Sequence, residues 1–119
     1  MERAATLIEV KRLYEPAEES DGTRILIDGL WPRGVPKAAW PNGSWRPDLA
    51  PSRELREWYR HDPERFDEFE RSYLAELESN DGIDEVLAID GQVTLVTATR
   101  DVETSHAAVL RNYLVRRKT

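Results

Sequence analysis

Ile25-Leu26-Ile27-Asp28-Gly29 sets three consecutive apolar residues, two of them β-branched, directly before a turn pair. An unbroken apolar run of that length reads as a strand buried on both faces, which is how strands of a parallel sheet look. Val93-Thr94-Leu95-Val96-Thr97-Ala98-Thr99 follows the turn Asp90-Gly91 and repeats the signal, so a second central strand is predicted there. Nearer the amino terminus, alternation from Leu7 to Tyr14 puts Ile8, Val10, Arg12 and Tyr14 on one side, a strand with a partly solvated face.

Between these strands the period changes to that of helices. Ser52 is a predicted N-cap for a short helix in which Leu55, Trp58 and Tyr59 fall at i, i+3 and i+4, and this spacing assigns Trp58 to the core. Asp62-Pro63 signals a second start, followed by the stripe Phe66, Phe69, Tyr73, Leu74 and Leu77 and by the stop Asn80-Asp81-Gly82. Ile83 to Ile89 fits a helix or a strand, and Asp84 and Glu85 favour the helix. Asp101 or Thr104 is the expected cap of a last helix, with Val102, His106, Val109 and Tyr113 on one stripe and Arg111, Arg116, Arg117 and Lys118 suiting its negative end. Glu15 to Gly22 reads as a loop, and Pro32 to Pro51 as an irregular segment packed by Trp40 and Trp45. Interleaved strands and helices predict one α/β domain over residues 1–119, with a small, mostly parallel sheet flanked by helices.

Composition narrows the functions this chain can carry. Its 119 residues suit one core, and 39% hydrophobic with 34% charged residues is the balance of a folded chain. Having no Cys, it has no disulfide, thiolate nucleophile or Cys-ligated metal. With 17 Lys and Arg against 23 Asp and Glu, the formal charge is −6, which disfavours non-specific nucleic-acid binding. Met1 to Leu13 mixes charges into its apolar residues and does not read as a leader, no run reaches the length of a membrane span, and the cytoplasm is the expected location. Asn42-Gly43-Ser44 matches a glycosylation acceptor that has no secretory route to give it meaning.

Ligands of open α/β sheets collect beyond the carboxyl ends of the strands, here Asp28 to Gly34 and Arg100-Asp101. Pro32 and Gly34 would fix the direction of Arg33, whose guanidinium suits a carboxylate or phosphate, or else an internal ion pair with Asp28 or Asp101. His106, in the first turn of the last helix, is a candidate proton-transfer residue with Asp101 as its orienting carboxylate, or else a hydrogen-bonded core histidine. His61 reads as a residue of a helix terminus, and with His106 and Asp62 or Asp101 it makes a metal site only if the fold gathers them. Trp31, Trp40, Trp45 and Trp58 interleave with Arg33, Arg46 and Arg56, as in a stack for a base or sugar or in core anchors beneath a loop. Gly-rich phosphate loops, G-x-S-x-G and H-E-x-x-H are absent.

The ordered set Ile25 to Gly34, Leu49-Ala50-Pro51-Ser52 with Leu55-Arg56 and Trp58-Tyr59, His61-Asp62-Pro63, Val93-Thr94-Leu95, and Asp101 with His106-Ala107 resembles the YeaO-like family, domain of unknown function 488. The resemblance spans about Ile8 to Leu114 and implies a bacterial or archaeal protein. It also implies a signature of Asp28, Trp31, Pro32, Arg33, Gly34, Arg56, His61, Asp101 and His106, with no agreed roles and no specified cofactor. Gly29 stands where the family usually has Arg, Ser105 where Asn commonly precedes the His, and Pro36 to Pro47 replaces a charged stretch. The expected function is binding of a small anionic ligand, a phosphorylated metabolite or nucleotide, by Asp28, Trp31, Arg33, Arg56 and His61. His106 and Asp101 would then serve any acid/base step. The alternative is a binding or regulatory module contacting protein or single-stranded nucleic acid through Trp40, Trp45 and Arg46.

Overall fold

The structure is a computed structural model that describes residues 7–40 and 43–118. Asn42 of the acceptor triplet, Pro41 of the proline-rich segment and residues 1–6 of the amino-terminal stretch lie outside that range. Four strands, β1 (Ile8–Arg12), β2 (Thr23–Leu26), β3 (Gly43–Trp45) and β4 (Val93–Thr97), form one sheet in the order β1-β4-β2-β3. Every pairing is parallel, with Ile8 opposite Val93, Ile25 opposite Leu95 and Leu26 opposite Trp45. Central β4 is buried along all five residues, as its β-branched run requires. The chain is a single α/β domain.

Helices α1 (Arg53–Tyr59), α2 (Phe66–Glu78), α3 (Gly82–Leu87) and α4 (His106–Lys118) complete the order. The main core lies on one face of the sheet, where Ile8, Ile25, Ile27, Val93 and Leu95 meet the inner sides of the helices. Phe69, Tyr73 and Leu77 recur at i, i+4 and i+8 on α2 and are all buried there, each such side chain contributing about 1.5–3 kcal/mol. The opposite face carries a smaller cluster, Leu26, Val96 and Trp40, flanked by Leu13, Trp31 and Trp45 and covered by loop rather than by helix.

Local chemistry sets the helix ends. The Ser52 hydroxyl accepts the Leu55 N–H at 3.2 Å, and the Asp62 carboxylate accepts the Glu64 N–H at 3.0 Å. The Asp62-Pro63 signal opens a 3-10 turn, Pro63–Arg65, that leads into α2. The ambiguous stretch Ile83 to Ile89 is helical over most of its length, in α3, as its acidic first turn predicts.

Three expectations are corrected. The last helix begins at His106, where the Ser105 hydroxyl accepts the Ala107 N–H at 3.2 Å; Asp101 and Thr104 belong to a preceding 3-10 turn, which also takes Val102 off the helical stripe. The irregular segment contains β3, an edge strand of three residues that pairs on one side only and so leaves no periodic signal. Trp58 is exposed beneath the Arg65 guanidinium, while Leu55 and Tyr59 supply the buried side of α1.

Candidate ligand-binding site

At the exit of β2 the chain reaches Asp28, whose carboxylate turns toward the helices. One oxygen accepts the Thr97 hydroxyl at 2.6 Å and the other accepts the Ala98 N–H at 2.8 Å. His106 Nε2 lies 3.2 Å from the carboxylate and 3.1 Å from the Ile27 carbonyl. Facing two acceptors, that nitrogen must carry the hydrogen, so the first residue of α4 pins the end of β2. Burial alone would raise the pKa of Asp28, but the His106 contact, the Thr97 hydroxyl and the Ala98 N–H outweigh it and hold the group below the ordinary carboxylate value.

Beside this pair α1 delivers Arg56. Its Nε donates to the Pro51 carbonyl at 3.2 Å, and its terminal nitrogens make no hydrogen bond among the described residues. The guanidinium lies on the backbone of Gly29, where an added Cβ would come within 2.8 Å of Cζ. Any side chain at position 29 would push Arg56 out of this position. Tyr59 stacks on Phe69 with centroids 4.1 Å apart and donates its hydroxyl to the Thr104 carbonyl at 2.6 Å, which ties α1 to the turn before α4. After Tyr59, Arg60 and His61 take left-handed φ values of 50° and 57°, and this turn brings His61 round to the same place.

Asp28, Gly29, Leu30, Arg56, His61 and His106 thus surround one cavity of about 260 Å³, walled further by Tyr59 and Phe69. A shallower depression beside it shares Asp28, His61 and Thr99 and adds Arg100 and Asp101. The fold therefore gathers four residues singled out in the sequence: Asp28, Arg56, His61 and His106.

Three others stand apart. Arg33 is exposed, makes no ion pair among the described residues and does not line the cavity; the Asp28 carboxylate expected to hold it is engaged instead by His106, Thr97 and Ala98. Asp101 is exposed in the neighbouring depression, so the carboxylate that orients His106 is Asp28. Trp31 turns to the opposite sheet face, where its ring meets Trp45. Gly29, Leu30, Tyr59 and Phe69 were not read as site residues, because their signals, a turn and a helical apolar stripe, are those of ordinary structure.

The Trp-bearing segment is partly tied down. Trp40 is buried beneath Arg24, 4.6 Å from its ring, and Arg46 pairs with Asp48 and Glu85, each at 2.8 Å. Among the described residues, His, Asp and Glu side chains form no group of three or more suited to a metal ion, and no helix is long and apolar enough to cross a membrane.

Residues 7–119 match a family model described as the inactive DUF488-N3 subclade, DUF488-N3i. The chain belongs to the DUF488 family. Within that family it is 49% identical over 111 residues to the uncharacterized protein Rv3073c of Mycobacterium tuberculosis, covering 92% of this chain and 94% of that one. To the uncharacterized protein YeaO of Escherichia coli it is 37% identical over 110 residues, covering 90% and 96%. No solved structure matches this DUF488 chain.

Proposed function

We propose that this DUF488 protein binds a small anionic ligand, a phosphorylated or carboxylated metabolite with an apolar portion, and holds it without turning it over. The observation that carries the reading is the placement of Arg56: a guanidinium laid on glycine, its terminal nitrogens without a hydrogen-bond partner among the described residues, beside a cavity with aromatic walls. A planar fork of that kind pairs with a carboxylate or phosphate through two parallel hydrogen bonds. Tyr59, Phe69 and the exposed Leu30 supply apolar surface for the rest of the ligand. The Asp28 carboxylate is already engaged by His106, the Thr97 hydroxyl and the Ala98 N–H, which leaves the Arg56 guanidinium as the group that attracts an anion, with the His61 ring beside it.

Two points favour binding over catalysis. His106 spends Nε2 on the Ile27 carbonyl and Asp28, which makes it a structural pin of the β2 exit. The family model that covers the chain also carries the description inactive.

The test is thermal unfolding with phenyl phosphate and inorganic phosphate as probes, at constant ionic strength. A ligand at ten times its Kd adds about 1.4 kcal/mol, a rise of several degrees for a domain of this size. Wild type should show a rise, larger for the aromatic ester when the two probes are compared at equal concentration, and Arg56→Ala should not. An equal rise in both proteins would remove Arg56 from the site and the reading with it.

A further inference from the structure

On the sheet face turned away from the helices, the rings of Trp31 and Trp45 meet edge to face, with centroids 5.4 Å apart and planes at 73°. Both are pinned by their N–H groups. Trp31 Nε1 donates to the Val35 carbonyl at 2.6 Å, and Trp45 Nε1 donates to the Asp28 carbonyl at 2.8 Å. Both rings also pack against the cluster of Leu26, Val96 and Trp40, so their orientations are set from below. Over them stands an ammonium: Lys37 Nζ lies 5.5 Å from the Trp31 centroid and 5.7 Å from that of Trp45.

Lys37 is exposed and makes no ion pair among the described residues, although the chain carries 23 acidic side chains. Its position is therefore set by the rings. Both separations fall at the outer part of the roughly 6 Å range of such contacts, so the side chain rests on the pair rather than filling it. Two indoles converging on one cation is how proteins recognise alkylated ammonium ions.

We propose that Trp31 and Trp45 form a two-walled cation site for a quaternary ammonium group, with Lys37 as its displaceable internal occupant. A primary ammonium is strongly hydrated and gives up little water at an exposed site. A quaternary ammonium has no N–H for water to hold, and its methyl groups add apolar burial to the attraction of the ring quadrupoles. The formal charge of −6 favours cations near the surface in general, and the pinned rings need no reordering to receive one. This site is separate from the cavity beside Arg56, and neither depends on the other being occupied.

The test is a titration of the full chain with tetramethylammonium chloride, followed by tryptophan emission at fixed ionic strength. Neopentyl alcohol serves as a water-soluble neutral analogue of similar size. Wild type should give a saturable change, and Lys37→Ala should tighten it about three- to sixfold, since an exposed lysine contact is weak competition. Trp31→Leu in the Lys37→Ala background should abolish it, and Trp31→Phe, which keeps a smaller ring, should weaken it severalfold while guarding against loss of the fold. Choline and a peptide bearing trimethyllysine separate a free metabolite from a modified side chain. The proposal is overturned if the alcohol binds as tightly as the cation, if Lys37→Ala changes nothing, or if neither choline nor the peptide matches tetramethylammonium.

Discussion

Arg60 and His61 are consecutive residues with side chains, both held in the left-handed region where a Cβ crowds the backbone at a cost of about 1–2 kcal/mol each. The arrangement persists because it closes α1, through the Arg60 N–H to the Arg56 carbonyl at 3.1 Å, and turns His61 toward the cavity. Arg60→Gly should therefore raise stability by about 1 kcal/mol, read as a higher urea midpoint at unchanged slope. A lower midpoint would mean that the left-handed pair costs nothing here. Gly29 supports a second prediction. Gly29→Ala crowds the flexible end of Arg56 rather than backbone, so the variant should fold with nearly wild-type stability while its affinity for phenyl phosphate falls about tenfold or more. Retention of wild-type affinity would show that Arg56 need not lie on the glycine. At this scale the sequence is least legible: Asp28 and His106 were each singled out, but Asp101 was given as partner because it is near in sequence. The true partner comes from another strand, and only the folded sheet brings it within 3.2 Å.

The elements are joined by polar contacts that span them, and the strongest links α1 to α2. Glu76 on α2 accepts the Ser52 N–H at 2.8 Å and the Ser52 hydroxyl at 2.6 Å, while that hydroxyl accepts the Leu55 N–H. A carboxylate from one helix thus completes the cap of another. Glu76→Ala should cost about 1.5–3 kcal/mol, the range for hydrogen bonds to a charged group, and Ser52→Ala about 1 kcal/mol. Because they share one network, the double variant should lose less than the sum, and full additivity in chemical unfolding would refute the link. Ser52 was legible as a cap because its partner Leu55 is three residues away. Glu76 was not, since nothing in a helical stripe marks which outward carboxylate will meet another helix. Elements with strong local signals, the apolar stripe of α2 and the unbroken β-branched run of β4 above all, are found where the sequence puts them. β3 was missed because its order comes from β2, to which it adds by backbone pairing.

Across the whole molecule, the sheet separates two acidic centres, one buried and one partly buried, that act on stability in the same pH range. Asp28 lies on the helix side. Asp21 lies on the other, bound by Lys11 at 3.0 Å and by Arg24 at 3.4 Å. For each, burial favours the neutral acid but is outweighed: at Asp28 by the His106 contact, at Asp21 by the Glu18 N–H and Lys11, so both folded pKa values lie below the ordinary one. In the unfolded chain both titrate at about pH 4. Their contribution to folding is therefore complete above about pH 4 and is lost as pH falls through the lower, folded values. Lys11, raised chiefly by Asp21, acts at the other end: its contribution is complete below about pH 10 and is lost as pH rises through its folded value. The urea midpoint should accordingly form a plateau across neutral pH and fall steeply below pH 4. Asp28→Asn and Asp21→Asn should each lower the plateau and flatten the acid limb. The two centres meet β4 at Thr97 and Thr94, three residues or about 10 Å apart, and they share no partner, so the flattening should add in the double variant. An acid limb as steep in either single variant as in wild type would remove that aspartate from the linkage.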